Sequence, residues 1–374
     1  MAPTELLKQL LDPWYESLSD PEAAQNTVLL TLISGYARTE YGNLHGAHSI
    51  RNVTEFRQSF PVVKYVDLAP ELEQVRRGNY AKLLPEPVRR WVMTRGSTGK
   101  SKLFPATDTH LGEVLAVGAR ALVNFALRTG DDSVIEGGVL NLNFPSEVAT
   151  LRTSAGAESY GYSSGTYAKL NPSFGLAALV PKQEEIDTLG GGITKADWER
   201  RFELVYEKAR SEEVVCTMGV TPVIASFGRY LRRKKHVLPK GVWKMKALFC
   251  TSVAKIQTNY APILRALYGD APVVEMYTAT EGIFAQQRDT QPYVSPNYDV
   301  YLFEVATRRG VKMLHEMKPR EWGKLVVSSH VFPRYDIGDY IEALGKGYFR
   351  VIGRTKLSTA AEHVLYNLSA FRLP

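Results

Sequence analysis

Thr94-Arg95-Gly96-Ser97-Thr98-Gly99-Lys100-Ser101-Lys102 gathers glycine, hydroxyl and basic side chains into nine consecutive positions. That mixture suits phosphate. Glycine permits the backbone turns that let N–H groups converge on an anion, hydroxyls donate hydrogen bonds, and Lys102 adds a point charge. Upstream, Arg90-Trp91-Val92-Met93 predicts the end of a short strand. Downstream, Thr107 or Asp108 is placed to cap a helix whose apolar residues Leu111, Leu115, Gly118, Leu122 and Phe125 recur at helical spacing. The segment therefore reads as a phosphate-binding loop between a strand and a helix. A Walker loop is the obvious competitor, because Gly99-Lys100-Ser101 supplies its last three positions. Thr94 stands where that pattern needs its first glycine, and no apolar strand ending in a magnesium-binding Asp follows.

At 374 residues, with 44% hydrophobic and 23% charged side chains, the composition is that of an ordinary globular protein. A formal net charge of +7 favours anionic ligands without specifying a fold. Cys216 and Cys250 allow at most one disulfide and have no metal-ligand spacing, so a reduced, cytoplasmic protein is expected. The start of the chain lacks the pattern of a secretory signal, and no uninterrupted apolar stretch approaches the ~20 residues of a membrane span. The basic run Arg229-Tyr230-Leu231-Arg232-Arg233-Lys234-Lys235-His236 reads as a solvated helix C-terminus complementing the helix dipole rather than as a nucleic-acid stripe.

Along the chain, Asp20 followed by Pro21 opens a helix over 21–38 with Val28, Leu29, Leu32 and Ile33 on one face. Val139–Phe144 alternates like a half-buried strand. Tyr160-Gly161-Tyr162-Ser163-Ser164-Gly165-Thr166-Tyr167 reads either as a surface loop or as the lining of a pocket for a flat acid. Thr194 and Asp197 form a capping box ahead of a helix that buries Trp198, Phe202, Val205 and Ala209. Strand over 242–250, helix over 258–268 and strand over 272–277 make a βαβ unit, hence a parallel sheet whose ligands collect beyond the carboxyl ends of its strands. Just beyond lies Tyr277-Thr278-Ala279-Thr280-Glu281-Gly282. Short strands over 299–305, 323–328, 339–343 and 348–352 predict a small antiparallel subdomain containing Arg334-Tyr335-Asp336-Ile337-Gly338-Asp339 and Gly353-Arg354-Thr355-Lys356.

Together these four motifs resemble, in order, those of the acyl-adenylate-forming superfamily. The loop resembles its [ST]-S-G-T-T-G-x-P-K, with Thr94, Gly96, Thr98, Gly99 and Lys102 matching, Ser97 conservative, and Arg95 and Ser101 departing. Tyr277–Glu281 resembles Y-G-x-[ST]-E with Thr278 for glycine, 335–339 resembles Y-R-T-G-D, and 353–356 resembles the hinge G-R-x-x-D with Leu357 where the pivot acid belongs. The stretch from Ile50 to Val66 resembles a region of plant-type acyl-acid amido synthetases and aryl-CoA ligases. The short distance from Arg354 to Pro374, the altered hinge and the basic character resemble the stand-alone adenylation proteins of phenazine antibiotic (griseoluteic acid type) biosynthesis.

The resemblance implies an α/β fold of the N-terminal adenylation type, with parallel and mixed sheets flanked by helices and a small β-rich subdomain, and with the C-terminal mobile domain absent. Its expected divisions are 1–180 with the phosphate loop, 181–297, 298–352, and a hinge remnant over 353–374. It implies ATP and Mg²⁺, an aromatic carboxylic acid converted to its acyl-AMP, and an acyl-accepting partner enzyme such as a reductase, with no nucleic acid or membrane as partner. Nucleotide contacts would fall on Thr94, Gly96, Ser97, Thr98, Gly99, Tyr277, Thr280, Asp339 and Arg354. The metal would fall to Glu281 and Thr98, and acyl contacts to Tyr160, Tyr162, Ser163, Ser164, Gly165 and Tyr277. Lys102, Glu281 and Arg95 would be catalytic, Arg95 standing in for the lysine of the mobile domain. A non-catalytic protein that binds an aromatic acid or acyl-adenylate is the alternative.

Overall fold

The computed structural model describes residues 3–95, 101–153, 156–170 and 178–354. The chain divides into two compact units, the first built mainly from Val88–Pro292 and the second from Asp12–Pro87 together with the segment after Tyr293. This division is discontinuous, where the sequence suggests consecutive subdomains.

In the first unit six strands run in the order β10-β9-β8-β7-β3-β6. They are β3 (Gly138–Leu140), β6 (Leu179–Val180), β7 (Val214–Val220), β8 (Ala247–Thr251), β9 (Val273–Ala279) and β10 (Gly282–Gln286). All adjacent pairs are parallel except the β9–β10 hairpin. A parallel sheet needs cover on both faces, and the side chains divide accordingly. Ala247 and Phe249 join Ala121, Phe125 and Ala126 of the long helix Asp108–Thr129 on one face, while Leu248 and Cys250 join the helices Lys195–Ala209, Thr221–Lys234 and Ala261–Tyr268 on the other. By length and composition the long helix could cross a membrane, but much of it is buried in this packing. Cys216 and Cys250 lie in the two opposite clusters as free, buried thiols, and burial pushes each up to about 12.

The strand expected over Val139–Phe144 is confined to Gly138–Leu140, with Val139 and Leu140 buried and Asn141 buried just past its end. Asn141 is tolerated there because its amide donates to the Pro181 carbonyl at 3.1 Å and to Gln183 Oε1 at 3.2 Å, and its Oδ1 accepts from Asn143 N. The basic run closes the helix Thr221–Lys234 as read, and neighbouring acids offset it. Lys235 reaches Glu203 at 2.5 Å and Arg233 reaches Glu199 at 2.6 Å.

A second sheet in this unit has the order β2-β1-β5-β4, from β1 (Val88–Met93), β2 (Leu103–Thr107), β4 (Ala149–Thr153) and β5 (Gly156–Tyr162). β2 was not foreseen. It pairs antiparallel with β1 through Met93↔Leu103, so the phosphate-loop segment joins two strands, and the long helix starts only after β2. Thr107 caps that helix as expected, accepting from His110 N at 3.2 Å.

In the second unit five antiparallel strands run in the order Gly310–Met313, Leu302–Thr307, Trp322–Ser328, Tyr335–Gly345, Tyr348–Gly353. Helix Pro21–Tyr36, capped by Asp20, packs Val28, Leu29, Leu32 and Ile33 with Phe56, Phe60, Leu302 and Met313. Arg334 ties the helical segment to the sheet. Its Nε meets Glu304 Oε2 at 2.9 Å and its Nη1 donates to the Phe60 carbonyl at 2.6 Å, while Arg57 takes Glu304 Oε1 at 2.8 Å. Val63 N donates to the Arg334 carbonyl and Asp336 N to the Val63 carbonyl, so 60–63 lies beside Tyr335 almost as a further strand. These contacts explain why residues 12–87 join the C-terminal strands rather than the phosphate-loop unit.

Candidate active site

In the first unit, parallel pairing of Met93 with Tyr162 sets the carboxyl ends of β1 and β5 side by side. β1 leads into Thr94 and β5 into Ser163, the first residue of the helix Ser163–Leu170. The loop's two ends are clasped. Thr94 N donates to the Lys102 carbonyl at 2.9 Å, and Lys102 N donates back to Thr94 Oγ1 at 3.0 Å. Lys102 and Arg95 are exposed, and the Arg95 guanidinium lies over the Phe144 ring at 5.5 Å. Gly96, Ser97, Thr98 and Gly99, expected to contact the nucleotide and metal, lie outside the described residues.

Tyr160–Tyr167 is a strand-to-helix junction rather than a surface loop. Tyr162 is a core residue against Phe144, at 5.1 Å between rings, and a Cβ at Gly165 would collide with the Phe144 carbonyl oxygen. Ser164 Oγ accepts from Phe144 N at 3.2 Å. Within the proposed acyl set, Tyr162, Ser164 and Gly165 thus make packing or backbone contacts, Tyr160 is half-buried, and Ser163 faces the next motif.

That motif is the β9–β10 turn. Ser163 Oγ lies 3.3 Å from Thr280 Oγ1, although 117 residues separate them, and Tyr167 OH donates to the Thr280 carbonyl at 2.8 Å. Thr278, the departure from glycine, has a use: its Oγ1 lies 2.7 Å from Thr251 Oγ1 at the carboxyl end of β8. Tyr277 is buried against Phe284. Thr280 is buried and Glu281 half-buried. Two residues before Tyr277, Glu275 is an acid whose carboxyl burial pushes up to about 7. The structure thus brings Thr94, Lys102, Ser163, Thr280 and Glu281 to strand termini of one unit. Sequence reading missed Tyr167 and His110 as supports of the turn, and no local pattern marks them.

Among the described residues no three His, Cys, Asp or Glu side chains cluster as a metal site. The donor set still suits Mg²⁺ held with a nucleotide, since that ion commonly takes one or two carboxylates and fills the remaining positions with phosphate oxygens and water. Glu281 is the carboxylate of this motif.

In the second unit Asp339 is buried and accepts from Arg354 Nε at 2.8 Å. Asp336, in the same motif, pairs instead with Lys324 at 2.8 Å and accepts from Gly338 N, a bond helped by the left-handed Gly338 at φ +88°. The expected hinge residues beyond Arg354 lie outside the described residues.

Residues 11–187 match the GH3 family N-terminal domain. An indole-3-acetic acid-amido synthetase described as probable, GH3.2 of Oryza sativa subsp. japonica, is 29% identical over 92 residues, covering 24% of this chain and 15% of the rice protein. Indole-3-acetic acid-amido synthetase GH3.2 of Arabidopsis thaliana is 28% identical over 98 residues, covering 26% and 18%. The aligned part therefore spans less than a fifth of these relatives. Among solved structures, the AtGH3.15 acyl acid amido synthetase in complex with 2,4-DB superposes with a TM-score of 0.72 at 16% identity, covering 94% of this chain and 70% of that one. A 2-hydroxyisobutyryl-CoA ligase in complex with 2-HIB-AMP and CoA gives 0.60 at 14% identity, covering 88% and 73%. The chain has the fold of the N-terminal region of adenylate-forming enzymes, and its residues 11–187 match the GH3 family N-terminal domain.

Proposed function

We propose that this protein activates an aromatic carboxylic acid with ATP, releasing pyrophosphate and holding the acyl-AMP. One observation carries the reading: Thr94, clasped to Lys102, Ser163 and the Thr280–Glu281 turn lie at strand termini of the first unit. In the reaction a carboxylate oxygen attacks the α-phosphorus, an O–P bond forms, and the bond to the β-phosphate oxygen breaks with its electron pair leaving on pyrophosphate. No side-chain nucleophile is required. Lys102 and Thr280 bind and orient phosphate oxygens and Arg95 adds positive charge near the loop; in the second unit, taken by itself, the Asp339 carboxylate suits a pair of ribose hydroxyls. Glu281 would hold Mg²⁺, which would supply neutralisation of phosphate charge.

The resemblance to phenazine adenylation proteins favours a phenazine carboxylate as the acid. It makes the acyl acceptor a partner enzyme, such as a reductase forming the aldehyde, in the cytoplasm. Neither nucleic acid nor membrane belongs to this reading. Hydroxylamine trapping tests it. With ATP, Mg²⁺ and a panel of aromatic acids, the acyl hydroxamate of at least one acid should accumulate above the enzyme-free control. Binding of the acids without hydroxamate from any of them would favour a non-catalytic binding protein.

A further inference from the structure

Tyr167 has one hydroxyl proton, and the geometry assigns it: the hydroxyl donates to the Thr280 carbonyl at 2.8 Å. Toward His110 Nε2, at 3.2 Å, the same oxygen must then accept, so His110 carries its proton on Nε2. His110 is fully buried, its ring 4.9 Å from Phe104 of β2, and its backbone N–H is the one that Thr107 caps. A directional chain thus runs from the strand after the phosphate loop, through His110 and Tyr167, to the peptide linking Thr280 and Glu281. The turn is held from another side by Ser163 on Thr280 and by Thr251 on Thr278.

We infer that His110 and Tyr167 are positioning residues for adenylation, fixing the Thr280–Glu281 peptide so that the Thr280 hydroxyl and Glu281 carboxylate keep one orientation toward phosphate and metal. The inference rests on the activation reading for its catalytic consequence, and on the hydrogen bonds alone for its structural one. A reacting group displaced by ~1 Å loses on the order of 10² in rate, whereas ground-state affinity for the adenosine moiety, held elsewhere, stays.

The test uses Tyr167→Phe, which keeps the ring and removes the hydroxyl, together with His110→Leu, His110→Gln and the double variant Tyr167→Phe/His110→Leu. Two readouts are taken. Hydrogen exchange over the peptide 277–286 should quicken about threefold to tenfold in Tyr167→Phe, the effect of one lost hydrogen bond. Single-turnover acyl-AMP formation should slow about tenfold or more with the half-saturating ATP concentration unchanged. The double variant should be no slower than Tyr167→Phe alone, because both changes cut one chain, and His110→Gln, which retains an N–H donor, should recover part of the rate lost in His110→Leu. Unchanged exchange in Tyr167→Phe overturns the positioning role whatever the enzyme's activity. Quickened exchange with wild-type turnover overturns its catalytic consequence, as does a double variant slower by the product of the single effects. If the wild type forms no acyl-AMP, the activation reading fails, and the exchange measurement still decides whether the chain orders the turn.

Discussion

Glu275 sits on β9 opposite Cys250 of β8, with its backbone N–H bonded to Gln287 Oε1 at 2.9 Å. Burial pushes its carboxyl from 4.5 up to about 7. In an unfolded chain the same group returns to its ordinary value. Between pH 4.5 and 7 the folded protein therefore holds more of this proton than the unfolded one, so this residue's contribution to stability falls as pH rises through that window and levels off above it. At 1.36 kcal/mol per unit the full difference sets a ceiling of ~3.4 kcal/mol. Glu275 keeps partial exposure, which lowers the expected cost to ~2 kcal/mol. Glu275→Gln keeps the shape and removes the charge. It should be neutral at pH 4.5, raise unfolding free energy by ~2 kcal/mol at pH 8, and flatten the slope between them. Urea unfolding at the two pH values gives the comparison. Parallel pH curves for wild type and variant, or a variant less stable at pH 8, would refute the reasoning.

Gly165→Ala must push a methyl into the Phe144 carbonyl, so a loss of ~1–3 kcal/mol is expected by thermal unfolding. Arg334→Met leaves Glu304, fully buried, with Arg57 as its remaining ion-pair partner; it should lower stability by ~3–5 kcal/mol, part of which the double variant Arg334→Met/Glu304→Leu recovers. Asp339→Ala should weaken ATP binding by ~1.5–3 kcal/mol and Lys102→Ala should weaken it measurably, both read by calorimetry. Glu281→Gln should spare ATP binding without metal and lose the gain in affinity that Mg²⁺ brings in the wild type.

What the sequence made legible was local. Thr107 and the Thr194–Asp197 box cap their helices as their side chains dictate, and the strands expected over 242–250 and 272–277 form a parallel pair over 247–251 and 273–279, the first shortened because Pro239–Val242 is helical. What it hid depends on partners distant in sequence. Pro105 disguised β2, which tolerates a proline because it is an edge strand bonded on one side only. Asn141 and Asn143 suggested a half-exposed strand, whereas neighbours supplied by 180–183 allow Asn141 to be buried. The union of 12–87 with the C-terminal strands turns on Arg334 and Glu304, whose pairing has no local signature. At the site, the residue types of the phosphate loop and of the β9–β10 turn were readable as motifs. Their approach through Ser163 and Thr280, and their support by Tyr167 and His110, required the fold.

The central claim is ATP-dependent activation of a carboxylic acid, and ATP–pyrophosphate exchange tests it most directly because exchange requires the reversible chemical step and no acyl acceptor. With Mg²⁺, labelled pyrophosphate and a panel of aromatic acids including phenazine carboxylates, label should enter ATP only when a matching acid is present, and Lys102→Ala should suppress the incorporation. Acid-independent incorporation, or none with any acid while ATP and acid both bind, would contradict the account.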